Sequence, residues 1–292
     1  MLVQQLANGI FLGAVYALFA IGYTLIFGVL DILNLAHAAI FMLAAFIALS
    51  LAAAGLPLFA AIAIAIVAAG LLGILLDRVA FAPLRRRNAG PLVPLISSIG
   101  AAIIMQGIAR GIWGPEEQRF AASALTTAEF HIGALTVGAL DLIVLGIALA
   151  FMAALSYVVR STALGRSIRA VASDRVAAAF LGVDLERTIA LTFFIASALG
   201  GAAGILIGLQ YNSVSIDMGS RIELKGLAII ILGGMGSVTG AVIGAFILGA
   251  VETLSVAFIS SSYRDAIAFG VMFLILVFRP TGLLGKRALR AA

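Results

Sequence analysis

The sequence predicts an all-α integral membrane protein, a polytopic helical bundle formed by a single transmembrane domain over residues 1–292. Of its 292 residues, 63% are hydrophobic and 11% are charged, whereas roughly a quarter of the residues of soluble proteins are charged. Apolar runs of about 20 residues, the length that crosses a bilayer, recur along the chain. Most basic residues lie in clusters between these runs, so the net charge of +5 indicates membrane flanks and not nucleic acid.

The residue types exclude several classes of chemistry. The chain has no cysteine and only two histidines, so disulfides, thiolate metal sites and histidine metal sites are not expected. It has no nucleotide-binding motif and no nucleophile beside a base, so we expect neither an enzyme nor a bound cofactor. No basic residue precedes the first apolar run, which is longer than the apolar core of a signal peptide. That run is therefore predicted to remain as a span.

About eight or nine spans are predicted, of which one or more is discontinuous. Seven apolar runs reach spanning length, near residues 6–30, 36–54, 58–76, 92–113, 138–159, 188–211 and 238–258. Two further runs, 222–232 and 266–279, are shorter and are predicted to be tilted, broken or shielded spans. Three crossings after residue 212 give nine spans in all, and one crossing with re-entrant pieces is the alternative.

The orientation of the chain follows from its lysines and arginines. Residues 77–88, residues 160–187 and the C-terminus from Arg279 together hold 13 of the 18 basic residues. We therefore place these three regions in the cytoplasm. The interval 114–137 contains three glutamates and one arginine, which is typical of an outside loop. Counting spans back from residue 77 places the N-terminus outside as well.

Polar residues within the apolar sequence are candidates for a substrate path. Asn34 and His37 lie between the first two spans, where contact with lipid would be costly. Their side chains should face protein or water, either as packing residues or as part of a path. In the run 92–113, Ser97 and Ser98 either bond back to the preceding helical turn or line the path together with Gln106.

Small residues predict close helix packing. Gly9 and Gly13 are four residues apart in the first span, and glycines between residues 200 and 208 form a narrow strip on the sixth long span. Both groups should allow a neighbouring helix to approach closely.

Two features lie near the end of the chain. Gly233, Gly234 and Gly236 interrupt an apolar sequence, which indicates equally a discontinuous helix beside a transport path and close helix packing. Glu252 lies within a predicted span, so it requires a partner and is a functional candidate, or else forms an interhelical hydrogen bond. One such acid, without a convincing internal repeat, gives little support to an ion-coupled secondary transporter of small neutral solutes, which remains the alternative.

The longest charged interval is residues 160–187, with five arginines and three acids. A helix is predicted here that begins near Ser167, continues through 171–181 without Gly or Pro, and ends at Gly182. The interval either only fixes the topology of the chain or forms a docking helix for a cytoplasmic partner.

Within this predicted helix, two pairs of residues have helical spacing. Arg166 and Arg169 are three apart, and Ala170 and Asp174 are four apart. Each pair should therefore lie along one face of the helix.

The sequence of this interval resembles the cytoplasmic coupling loop of ABC importer permeases, and most closely that of the branched-chain amino acid permease family, the LivH-like subunits. Shared elements are Gly165-Arg166-Ser-Ile-Arg169-Ala170 with Asp174, Ala178 and Leu181-Gly182-Val183, then Asn34-Leu-Ala-His37, Pro83-Leu-Arg85, Leu232-Gly233-Gly234-Met-Gly236-Ser, and Pro280-Thr-Gly. Ala38 and Ala39 replace a glycine and a frequent acid of the family. The resemblance extends over about residues 6–286.

The resemblance implies the permease subunit of an ATP-driven importer of the branched-chain/ribose type in a bacterial inner membrane. The expected partners are a second, LivM-like permease, two cytoplasmic ATPases that bind the ATP, and a periplasmic amino-acid-binding protein. The implied ATPase-coupling residues are Gly165, Arg166, Arg169, Ala170, Asp174, Ala178 and Gly182. The implied path residues are Asn34, His37, Ser97, Ser98, Gln106, Gly233, Gly234, Gly236 and Glu252. Because buried charge is scarce in the sequence, we expect a path of small and apolar groups, for an amino acid, an amide or urea.

Overall fold

The structure is a computed structural model that describes residues 2–90, 92–121, 128–132, 135–279 and 281–285. Its elements are α1 (Leu2–Leu30), α2 (His37–Ala53), α3 (Leu58–Leu76), α4 (Ala82–Arg86), α5 (Leu92–Trp113), β1 (Glu129–Ile132), β2 (Leu135–Gly138), α6 (Ala139–Ser161), α7 (Ala163–Ser173), α8 (Arg175–Phe180), α9 (Leu185–Gln210), α10 (Met218–Gly233), α11 (Val238–Phe258) and α12 (Arg264–Phe278). A π-helical segment, Asp77–Phe81, joins α3 to α4, and a 3₁₀ turn, Ser261–Tyr263, precedes α12.

The polytopic helical bundle predicted from the sequence is confirmed. Within the described ranges, seven helical segments are long and apolar enough to span a membrane: α1, α3 with its extension through α4, α5, α6, α9, α11, and α12 with the preceding turn. Two shorter helices, α2 of 17 residues and α10 of 16 residues, complete the bundle. Extended structure in the described ranges consists of the short antiparallel hairpin of β1 and β2 and an isolated bridge between residues 118 and 214.

Helix α1 is the centre of the bundle and is buried along most of its length. It contacts α6, α9, α10 and α11. The predicted close approach at Gly9 and Gly13 is confirmed, because a Cβ atom added at Gly249 of α11 would lie 2.7 Å from the Gly9 carbonyl oxygen and the Gly13 nitrogen. Any larger side chain at these positions would push the two helices apart.

Helix α9 is the second buried helix, and its glycine strip contacts α2 and α3 as predicted. A Cβ atom at Gly201 would lie 2.5 Å from the Ala69 Cβ and 3.0 Å from the Ala44 Cβ. A Cβ atom at Gly204 would collide with the carbonyl of Phe41. The absence of side chains on this face therefore sets the distance between α9 and its neighbours.

The last three helices alternate in direction. Gly233 at the end of α10 adjoins Gly240 near the start of α11, so these two helices are antiparallel. Lys225 of α10 lies 3.1 Å from Asp265 of α12, and the Leu283 N–H donates to the Leu232 carbonyl, so α10 and α12 run the same way. This arrangement supports three crossings after residue 212, as the predicted count of nine spans requires.

Helix α2 begins inside the bundle. After α1 ends at Leu30 the chain turns back, and His37 in the first turn of α2 packs against Gly22 of α1 and Gly200 of α9. Gly22 lies eight residues before Leu30, which is about 12 Å along a helix axis. A Cβ atom at Gly219 would lie 2.7 Å from the Ala38 carbonyl oxygen, so α10 also begins beside the first turn of α2. These two helices are the discontinuous elements of the bundle.

The two ends of the bundle differ. We call the end with the β-hairpin and residues 211–217 the outer end. Gln4 pairs there with the backbone of Thr136, and residues 118 and 214 form an antiparallel bridge. The opposite end, with α4, α7 and α8, is the inner end. The inner end carries the basic clusters for which the sequence predicts a cytoplasmic location.

Candidate coupling surface and substrate cavity

The charged interval forms two helices at the inner end, not one. Helix α7 begins earlier than predicted, after Thr162, whose hydroxyl accepts from the Gly165 N–H at 3.1 Å. Asp174 has extended backbone angles, and its carboxylate accepts from the N–H groups of Val176 and Ala177 at 2.8 and 3.0 Å. This carboxylate caps a new helix, because it satisfies N–H groups that have no partner within the first turn. The single helix predicted through residues 171–181 is therefore wrong.

One of the two predicted pairings is lost with that helix. Ala170 belongs to α7, whereas Asp174 is the N-cap of α8, so the two residues do not share a helical face. The predicted end at Gly182 is confirmed, with a φ of +83° and a bond of 3.0 Å from the Val183 N–H to the Ala178 carbonyl. Glycine tolerates this left-handed conformation at the end of a helix.

The coupling residues that the resemblance implies divide into a buried and an exposed set. Gly165 and Ala178 are buried, and a Cβ atom at Gly165 would collide with the backbone of α6. Arg166 and Arg169 are exposed, and Arg169 donates to the Val159 carbonyl. We define the coupling surface as the large exposed side chains of α7, α8 and the residue after α8, namely Arg166, Arg169, Val176, Phe180 and Leu181.

The tip of the coupling surface is apolar. Phe180 is 87% exposed and Leu181 is 82% exposed. Large apolar side chains beside arginines, at an end of the molecule where no lipid is expected, have the composition of a protein-binding surface.

The coupling surface is linked to the core of the bundle. Arg175 of α8 donates to the Val29 carbonyl in the last turn of α1 at 2.9 Å. At the start of α9, Glu186 lies 3.7 to 3.8 Å from three arginines of the α3–α4 segment, Arg78, Arg85 and Arg86. Arg175 therefore connects α8 to the inner end of α1, and Glu186 connects the start of α9 to the α3–α4 segment.

A second constellation lies toward the outer end, around Glu252. This carboxylate is fully buried, and the Arg264 guanidinium donates to its Oε2 at 2.8 Å from Nε and 2.5 Å from Nη2. Lys225 Nζ lies 2.8 Å from Oε1, and the Tyr16 hydroxyl donates to Oε2 at 3.0 Å. Lys225 is also 3.1 Å from Asp265 Oδ1. These residues join α1, α10, α11 and α12 in one network, which supplies the partners that the sequence required for Glu252.

A cavity of about 400 Å³ lies beside this network. Its wall has a basic part with Arg221, Lys225 and Arg264. It also has an apolar part formed by Phe41, Ile207, Met218 and Ile222, and two serines and two tyrosines complete it, namely Ser213, Ser215, Tyr16 and Tyr211. Three basic side chains thus line this cavity, whereas the sequence predicted a substrate path of small and apolar groups.

The predicted path residues lie at several levels and do not form one cluster. Asn34 and His37 are buried near the middle, where the His37 ring centroid is 4.9 Å from that of Phe19. The Ser98 hydroxyl belongs to the same region, because it accepts from the Leu35 N–H at 3.2 Å and donates to the Leu95 carbonyl at 2.7 Å. Within the described residues, the side-chain polar atoms of Asn34 and His37 have no hydrogen-bond partner.

The other path candidates are elsewhere. Gly233, Gly234 and Gly236 form the turn between α10 and α11 at the inner end, where Gly234 and Gly236 have φ values of +101° and +81°. Ser97 donates to the Ala80 carbonyl at 3.0 Å. Gln106 is partly buried on α5. Gly233 also packs closely against Gly240, which is one of the two alternatives that the sequence left open. A role of these glycines in a transport path stays a prediction.

Sequence reasoning missed the cationic members of the outer network. Lys225 and Arg264 lie at the starts of the two short apolar runs, and they appear in the sequence as ordinary flanking charges. The predicted burial of Glu252 was the sequence feature that could have indicated them, since a buried acid is stable only when it is paired. Among the described residues no group of three or more metal-ligating side chains is found.

Comparison with known proteins adds to this geometry. The family described as "Branched-chain amino acid transport system / permease component" matches residues 5–276. The high-affinity branched-chain amino acid transport system permease protein BraD of Pseudomonas aeruginosa is 34% identical over 97% of this chain and 95% of its own length. The corresponding LivH protein of Escherichia coli is 33% identical with the same coverage. The autoinducer 2 import system permease protein LsrC of Klebsiella pneumoniae is 36% identical over 44% of this chain and 40% of its own length. No solved structure matches.

Proposed function

Since the chain belongs to the branched-chain amino acid transport permease family, we propose that it is the membrane permease subunit of an ATP-driven importer for branched-chain or related amino acids. The observation that carries the mechanism is the coupling surface, a basic protrusion with an apolar tip at the inner end. It has what a docking helix needs: arginines to pair across an interface and apolar side chains to enter a groove.

The proposed assembly has four kinds of component. This chain pairs with a second, LivM-like permease in a bacterial inner membrane, and a periplasmic binding protein delivers the amino acid to the outer end. Two cytoplasmic ATPase subunits bind and hydrolyse ATP, and they contact the coupling surface. The permease itself is not an enzyme, and its task is to convert movement at the inner end into opening and closing of a path.

Movement is transmitted through the contacts already described. When the ATPases close, they displace α7 and α8. Arg175 transfers this displacement to the last turn of α1, and Glu186 with its arginines transfers it to α9 and the α3–α4 segment. Helices α1 and α9 are the two most buried helices, and they enclose His37 at the start of α2. We propose that their rearrangement changes access to the middle of the bundle, where Asn34, His37 and Ser98 lie.

The secondary-transporter alternative is not favoured. The relatives named above are permease proteins of branched-chain amino acid transport systems. Glu252, the candidate coupling acid, contacts Lys225, Arg264 and the Tyr16 hydroxyl. Its surroundings are those of an acid that joins helices.

The experiment that tests the function has two parts. First, the tagged chain is purified in detergent from its native membrane and assayed for co-purifying ATPase activity, which we expect. Second, Arg166→Glu is compared with Arg87→Glu, a matched charge reversal at an exposed arginine of the α3–α4 segment that lies outside the coupling surface. We expect Arg166→Glu to lower ATP-driven uptake roughly tenfold or more, as for an interface hot spot, and Arg87→Glu to leave it unchanged.

Two outcomes would contradict the proposal. A chain that purifies alone and drives uptake from an ion gradient in liposomes is a secondary transporter. Normal ATP-driven uptake by the Arg166→Glu protein would show that the ATPase interface does not depend on Arg166 of α7. Arg169→Glu is a less sharp test, because it also removes the bond to Val159 that holds α7 against α6.

A further inference from the structure

The cavity at the outer end combines a basic wall with an apolar wall. Its volume of about 400 Å³ suits a single small molecule. It lies beside residues 211–217, on the side of the bundle opposite to the coupling surface. Tyr16 and Phe41, which also line it, lie on the outer side of Gly22 and His37 along α1 and α2.

The charges around the cavity leave a positive excess. Lys225 and Arg264 are balanced by the carboxylates of Glu252 and Asp265 in the ion-pair network. Arg221 is exposed and forms no ion pair or side-chain hydrogen bond within the described part of the chain. A guest with one carboxylate would balance this remaining charge.

Two guanidinium groups have donors available for such a guest. Arg264 uses Nε and Nη2 in the network, so its Nη1 remains unengaged among the described contacts. Arg221 has its whole guanidinium available. Guanidinium groups match the planar, two-oxygen shape of a carboxylate. The acids on the same helix or at its start, Asp217 and Glu223, do not line the cavity.

The apolar wall defines the rest of the guest. Phe41, Ile207 and Ile222 line the same cavity and would cover an aliphatic side chain, whose burial is favourable by the hydrophobic effect. The hydroxyls of Ser213 and Ser215 are acceptors for an ammonium group.

We propose that this cavity is an amino-acid site of the permease, in which Arg221 and Arg264 bind the α-carboxylate and the apolar wall holds an aliphatic side chain. The proposal rests on the transport function proposed above and adds a binding site in the permease and the residues that recognise the substrate. The cavity takes a carboxylate-bearing amino acid and discriminates against an amide or urea, which would leave the charge of Arg221 unbalanced. The permease therefore contributes to selection and does not leave it wholly to the binding protein.

The absence of cysteine from the chain permits a direct test. Ser215→Cys places one thiol in the cavity wall, and the assembled transporter is treated in liposomes with a membrane-impermeant thiol reagent in the absence of binding protein. Labelling of this chain is followed by mass shift while leucine, leucinamide or inorganic phosphate is added. We expect leucine to slow labelling and leucinamide and phosphate to have little effect.

Variants then identify the recognising group. In the Ser215→Cys background, Arg221→Gln should raise the leucine concentration needed for half-protection roughly tenfold, because one charge-assisted contact is lost. Arg221→Lys should keep part of the protection. Arg119→Gln is the matched control, since Arg119 is an exposed outer arginine that does not line the cavity, and it should behave like the parent.

The outcomes separate this proposal from the transport function. The proposal is overturned if leucine gives no protection, if leucinamide protects equally, or if phosphate protects equally, the last of which would indicate a general anion site. ATP-driven leucine uptake by the same liposomes, after the binding protein is added, reports on the transport function alone. Leucine uptake without protection of the thiol by leucine would support the importer function and contradict the amino-acid site.

Discussion

Glu252 shows how one buried charge organises several helices. Its carboxylate lies between Lys225 of α10 and Arg264 of α12, and it accepts from Tyr16 of α1. The need for a partner could be predicted from the sequence, because an isolated acid in a span is too costly. The identity of the partners could not be predicted from the sequence, because it depends on how α10, α11 and α12 fold back on one another.

We predict that Glu252→Gln strongly destabilises the protein. The variant keeps the shape of the side chain but leaves Arg264 without its counter-charge and Lys225 with Asp265 alone. Loss of one partner of a fully buried pair costs about 3–5 kcal/mol, and since Arg264 is partly exposed we expect about 2–3 kcal/mol. The measurement is thermal unfolding of the purified transporter in detergent. Glu117→Gln is the control, since Glu117 is half exposed and lies 3.8 Å from Arg119 at the surface, where an ion pair contributes about 1 kcal/mol or less. Equal unfolding temperatures for the two variants would show that the network contributes little.

At the scale of elements, long apolar helices were predictable and short polar ones were not. In lipid every backbone polar group must be hydrogen-bonded within the chain, so a long apolar run forms a helix. Accordingly, α3, α5 and α11 begin and end close to the predicted residues. The interval 160–187 has no such constraint. One side chain, Asp174, decides there between one helix and two, through local bonds that composition does not reveal.

The Asp174→Ala variant tests whether the Asp174 cap stabilises α8. The loss of the cap should destabilise α8 by about 1 kcal/mol, so the amide hydrogens of residues 175–182 should exchange with solvent several-fold faster. Ser237→Ala is the matched control, because Ser237 caps α11 in the same way, with its hydroxyl 3.1 Å from the Gly240 nitrogen. This control should leave exchange in residues 175–182 unchanged. Unaltered exchange in the Asp174→Ala protein would mean that contacts with the bundle, and not the cap, hold α8.

At the scale of the whole molecule, the distribution of arginines and the directions of the helices give the same topology. Basic clusters predicted the sides of the membrane from sequence, and the structure places α4, α7 and α8 together at one end and residues 114–121 and 211–217 at the other. The starts of α2 and α10 inside the bundle were beyond sequence reasoning. They depend on Gly200, Gly204 and Gly219 allowing backbone to approach backbone.

Single cysteines in this cysteine-free chain would decide the topology. With nine spans and the N-terminus outside, an impermeant thiol reagent added to intact spheroplasts should label Ala121→Cys and Ser261→Cys, and should label Ser173→Cys and Met235→Cys only after permeabilisation. All four positions are exposed in the described structure. The competing count, one crossing after residue 212 with re-entrant pieces, exchanges the sides of residues 235 and 261. Labelling of Met235→Cys in intact spheroplasts would therefore contradict the alternating directions of α10, α11 and α12, on which both the outer network and its cavity depend.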